Sequence, residues 1–191
     1  MEKIFLGHSR LDMRGFYAAV EAAGYGSMSS SPFAQPIFLS HCEDGDDALG
    51  VDFAAFAKVV GRLETARKVF QTAGGSAVGY VESSVFPRLL HQVLVQVAEE
   101  EDVVGFDELL RGHTCCAEVF HEFDTLEDGV IHEVECAAMC LVLASVVDAY
   151  AVGRHGRGSG LSRAEYGKSL RRLGLGDVER VFRGQLVDGV F

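Results

Sequence analysis

The chain has 191 residues, 48% of them hydrophobic, with 22 glycines and only three prolines, enough length and apolar content to bury a core in one domain or two small ones. Seventeen Lys and Arg against 28 Asp and Glu leave a formal charge of -11. That balance repels a phosphate backbone or an anionic lipid surface overall and argues against a nucleic-acid partner.

Apolar residues recurring at three- and four-residue intervals, with frequent Gly and few Pro, predict an all-α fold with tight loops. The opening stretch "MEKIFLGHSR" has three consecutive apolar residues, too few for a signal peptide, and Glu2 excludes N-myristoylation. The cysteines are Cys42, Cys115, Cys116, Cys136 and Cys140, an odd number without the spacing of a disulfide framework, which points to a reducing compartment.

Along the chain one pattern returns: an aliphatic residue, then a cap-like residue, then an apolar residue that opens a helix. It places Leu11 before Phe16, Val51 before Asp52 and Phe56, and Val81 before Glu82 and Phe86. Further copies place Val104 before Leu109, Ile131 before His132, and Leu161 before Ser162 and Tyr166. The intervals between the aliphatic residues are 40, 30, 23, 27 and 30, and a last interval of 30 reaches Phe191. A period near 30 marks a repeated supersecondary unit, here helix, loop, helix. Asp52, Glu82, His132 and Ser162 stand where a residue caps the outgoing helix, while "EAAGYG" and "RRLGLG" end helices with glycine. The short gap between Val81 and Val104 leaves room for one helix, over 84 to 97. "CAAMCLVLASVV" fits a buried helix, and no apolar run reaches the roughly 18 residues of a membrane span.

The pattern is sharpest in "DTLEDGVIHEVE", residues 124 to 135, which sets Asp124 at loop position 1, Asp128 at 5, Gly129 at 6, Ile131 at 8 and Glu135 at 12. With "FDELLRG" upstream, this stretch resembles two consecutive units of the EF-hand superfamily, specifically the multi-hand proteins of the calmodulin and penta-EF-hand kind. The resemblance implies tandem EF-hand helix-loop-helix units with short β bridges between paired loops. On that reading, degenerate N-terminal units occupy 1–97 and C-terminal units occupy 98–191. It also allows an unpaired hand to make a homodimer.

Calcium wants six to eight oxygens, which such a loop supplies from positions 1, 3, 5, 7, 9 and 12. Asp124, Asp128, the Val130 carbonyl and Glu135 survive, with His132 at the water-mediated position, but Leu126 at position 3 supplies nothing. One weak calcium site is expected. The loop from Arg154 to Glu165 opens on a cation, and the loop from Asp44 ends on Ala55 without its carboxylate anchor. The loop from Gly74 to Val85 offers only Ser76 and Glu82, and "AEEED" at 98 to 102 carries charge at the wrong offsets.

His132, Cys136 and Cys140 share one helix face, and His113 with Cys116 makes a second pair, ligand types that zinc accepts. Cysteine among Ala, Met, Leu and Val reads instead as a small buried hydrophobe. "AVGRHGRGSG", residues 151 to 160, lacks the Lys-Ser/Thr of a phosphate-binding loop. No nucleophile-base pair is evident, so no enzyme is expected. The first functional reading is a largely calcium-independent, calmodulin-like subunit that binds an amphipathic, basic helix of a larger partner. It would act in the cytoplasm, within a cytoskeletal or other large assembly. Its argument is that 13 Phe residues, with many Val and Leu, exceed what isolated hairpins cover, leaving apolar grooves in opened pairs. The alternative is a calcium sensor switched by the 124–135 loop. Leu126 and Arg154 favour the first.

Overall fold

The computed structural model describes residues 10–42, 47–100 and 115–157. These are mostly helical, with two small antiparallel sheets. The strand β1 (Arg10–Leu11) leads into α1 (Met13–Ala22), and a 3-10 turn (Met28–Ser30) precedes α2 (Ala34–His41). β2 (Val51–Asp52) opens α3 (Phe53–Thr72), and the short α4 (Gly75–Val78) precedes β3 (Tyr80–Glu82) and α5 (Phe86–Glu100). Last come α6 (Cys115–Phe123), β4 (Val130–His132) and α7 (Glu133–Arg157). The aliphatic positions Val104 and Leu161, with Phe191, lie outside the described residues, as do His113 and most of the 154–165 loop.

The repeated pattern becomes pairing. β1 meets β2 with Leu11 opposite Val51, and β3 meets β4 with Val81 opposite Ile131. All four are nearly inaccessible, at 5% or less exposed. Each pair therefore ties two helix starts together through a minimal antiparallel ladder. Gly50 sits beside the first ladder at φ +65, where a Cβ would come within 2.6 Å of the Leu11 carbonyl oxygen, so both the conformation and the close approach require glycine.

The helices start where the side chains permit. Asp12 caps α1 by accepting from the Gly15 N–H at 2.7 Å, and Asp52 caps α3 by accepting from the Ala55 N–H at 2.8 Å. In the first turns of these and the later helices, Phe16, Phe56, Phe86 and Cys136 are all buried, at 1% or less exposed. Phe16 meets Phe56 edge to face at 5.8 Å between centroids, and Phe86 meets Phe120 at 5.1 Å.

The centre of the core is α7. From Cys136 to Val147 every side chain is buried, apolar except for Ser145. α7 packs against α2, α3, α5 and α6, and β3 pairs directly with β4. The apolar residues that would leave grooves open in separate pairs are used among the described residues to enclose this helix. No described helix is long and apolar enough to cross a membrane.

Polar groups inside this interface are matched. Arg62 on α3, 3% exposed, pairs with Asp148 on α7 at 2.9 Å and donates to Nε2 of His41 on α2 at 3.2 Å. His41 Nδ1 then donates to the Ile37 carbonyl at 2.8 Å. Desolvation, reinforced by the Arg62 and Lys58 cations, holds the His41 imidazole down at about 4, so it is neutral and its Nε2 is an acceptor. Ser145 bonds Ser40 at 2.8 Å in the same layer.

Phe56→Ala is expected to cost about 3–5 kcal/mol, the range for truncating a buried Phe. Asp52→Ala should cost about 1 kcal/mol, the value of a helix cap. Urea unfolding followed by far-UV dichroism measures both, and equal costs would mean that the Phe16–Phe56 contact does not hold the first pair together.

Candidate functional site

The 124–135 loop runs from the end of α6 to the first turn of α7. Its tight turn uses Glu127 at φ 54 and Gly129 at φ 80, both in the left-handed region that favours glycine. Asp124, 7% exposed, accepts from the N–H groups of Asp128 at 3.1 Å and Gly129 at 2.9 Å. This carboxylate pins the turn as an aspartate at a loop start commonly does.

Glu135 does more. Its Oε1 accepts from the Thr125 N–H at 2.8 Å, the Thr125 hydroxyl at 2.8 Å and the Leu126 N–H at 3.1 Å. Its Oε2 accepts from the His132 N–H at 2.9 Å, reaching back across the start of α7 in the manner of a capping box. Four donors converge on one carboxylate that is 3% exposed. Hydrogen bonds to a charged acceptor contribute about 1.5–3 kcal/mol each, so this carboxylate fastens both ends of the loop to α7.

Asp128 and His132 form an exposed pair, Nε2 to Oδ2 at 2.8 Å, and the other Asp128 oxygen accepts from the Val130 N–H at 3.2 Å. The His132 bond holds the Asp128 carboxyl below its ordinary value, while Asp128 raises the His132 imidazole against a smaller opposing effect of desolvation. Val130 lies in β4 opposite Glu82.

The five expected calcium ligands are thus neighbours in one loop. Among the described residues no three His, Cys, Asp or Glu side chains group as a metal site. The Glu135 oxygens face N–H and O–H donors, Asp128 faces a histidine, and position 3 is an exposed leucine. For both Glu135 oxygens to anchor calcium, the carboxylate would first have to release its bonds to Thr125 and Leu126. Nor do His132, Cys136 and Cys140 converge. The Cys136 and Cys140 thiols point at the Ala66 and Arg62 carbonyls at 3.9 and 3.6 Å, within the α3–α7 interface. Burial pushes the Cys136 thiol well up and disfavours a reactive thiolate.

Three contributors escaped the sequence reading. Thr125 adds a hydroxyl donor to Glu135, Asp12 caps α1, and Arg62 is an arginine buried in an apolar interface. Only the second had a signal, an Asp directly before a helix-opening pattern. Comparison with protein-family models, curated proteins and solved structures finds no match.

The Asp128–His132 pair carries a pH dependence of defined sign. His132 is raised, so its contribution is full below its unfolded value near 6.5 and is lost as pH rises through the higher folded value. Asp128 is lowered, so its contribution is present above 3.8 and is lost as pH falls through the lower folded value. The stability margin of the wild type over His132→Gln should be largest near pH 5 and should shrink toward both pH 8 and pH 2. Subtracting the variant cancels other titrations, including that of His41. A margin independent of pH in denaturant unfolding would show that the pair does not form in solution.

Proposed function

We propose that the chain is a non-enzymatic, EF-hand-like subunit that binds a helical, basic segment of a larger partner without needing calcium. The observation that carries this reading is Glu135, whose carboxylate joins both ends of the loop to α7 through four hydrogen bonds from the loop itself. A loop closed in this way has its geometry before any ion arrives, and ion binding then has little differential energy with which to switch anything. The reading is also supported by the pairing of Leu11 with Val51, the expected relation between neighbouring loops of tandem hands, whereas Val81 pairs with Ile131 across the intervening copy at Val104.

The charge of -11 favours a partner rich in Lys and Arg, since opposite charge speeds encounter and rejects acidic competitors. Five cysteines without the spacing of a disulfide framework suit a cytoplasmic setting.

Titration calorimetry is expected to find calcium affinity weaker than about 10⁻⁵ M, the weak end of the sensor range. Leu126→Asp should strengthen it, and an unchanged affinity would mean that the loop does not adopt EF-hand geometry. In a second measurement, a complex captured from the native source should keep its partner and its far-UV spectrum when EGTA is added. Release on chelation would overturn the constitutive reading and favour a calcium sensor.

A further inference from the structure

We propose that the cleft between the Met28–Ser30 turn and the 124–135 loop seats a single aliphatic or aromatic anchor side chain of a basic peptide, with Leu126 as its outer contact. The proposal rests on the reading of the chain as a binding subunit and says where on its surface the partner seats.

The cleft has a volume of about 160 Å³. Its inner lining is apolar: Phe33 and Phe123, buried with ring centroids 4.8 Å apart, together with Val134 and Ala138 of α7. Its outer lining includes three exposed residues, Ser27 and Ser30 at the 3-10 turn and Leu126 from the loop. Leu126 is 63% exposed, the most exposed of the large hydrophobic side chains among the described residues. A lone exposed leucine is ordinary, but one that lines an apolar cleft can bury its own surface and that of a ligand in a single contact. The anchor-in-pocket arrangement is the form in which a few residues carry most of an interface's binding energy.

Charge decides the occupant. Among the described residues lining the cleft, Glu135 is the only charged one, and its oxygens are held by the loop N–H groups. Glu127 and Asp128, both exposed, follow Leu126 directly in the turn. Asp128 is already paired with His132, so it is the Glu127 carboxylate, next to Leu126 in the chain, together with the net charge of -11, that favours a cation flanking the anchor over an acidic flank. A second copy of the chain would bring another charge of -11, which disfavours self-association through this face.

The test uses the full chain as bait for a phage-displayed random twelve-residue peptide library in buffer containing EGTA. Enriched peptides should carry one Leu, Ile or Phe flanked by Lys or Arg. Their affinity should fall at least tenfold when that anchor is changed to Ala. It should fall as far on Leu126→Lys, which removes the outer contact and adds a repelling cation, and on Ser30→Trp, which fills the cleft from its rim. Both positions are exposed, and far-UV dichroism checks that the variants fold. Failure to enrich any peptide, or enrichment of acidic ones, overturns the proposal. Basic peptides indifferent to both substitutions overturn the cleft but leave the calcium-independent binding function standing. Peptides enriched only when calcium replaces EGTA, yet sensitive to Leu126→Lys, keep the cleft and overturn calcium independence. A dimer in sedimentation that Leu126→Lys disperses would reassign the cleft to a second copy and overturn the peptide occupant.

Discussion

The structure depends on burying α7. Twelve consecutive residues, Cys136 to Val147, are removed from water on every face, so the helix cannot stand at an edge and must be enclosed. α2, α3, α5 and α6 do this, bringing together segments from across the described chain. The two strand pairs are too short to supply such a driving force, since a two-stranded ladder alone is marginal in water. They set register and angle, while apolar burial supplies the energy.

An enclosed helix also constrains its polar neighbours. Asp148 and Ser145 on α7 face Arg62 and Ser40, and the Arg62 cation in turn requires His41 to be a neutral acceptor. A buried arginine without such partners would carry a large desolvation penalty. The network offsets that penalty and requires these particular groups of α2, α3 and α7 to meet.

Much of the repeat was legible in the sequence. Leu11, Val51, Val81 and Ile131 were recognisable as equivalent because each precedes an apolar helix-opening residue by five positions, and Asp52 was recognisable as a cap. The buried helix was legible as an uninterrupted apolar run. What periodicity does not encode is partnership. It marks a strand position without saying which other strand it meets, and it treats Arg62 as an ordinary polar interruption in α3. The loop shows a further limit: Asp124 and Glu135 are the same residues whether a carboxylate faces an ion or faces N–H groups. Their spacing in sequence is identical in the two cases, and only the positions of the donors separate them.

This last distinction bears on Leu126. In a loop that wraps an ion, position 3 must turn an oxygen inward, and an apolar side chain there removes a ligand. Once Glu135 satisfies the Thr125 and Leu126 N–H groups, the backbone at position 3 is held without any contribution from its side chain. The side chain is then released to face outward, and its chemistry answers to whatever lies beside it. Beside it are Phe33, Phe123 and Ala138. Leu126 thus extends an apolar surface already begun by α6 and α7.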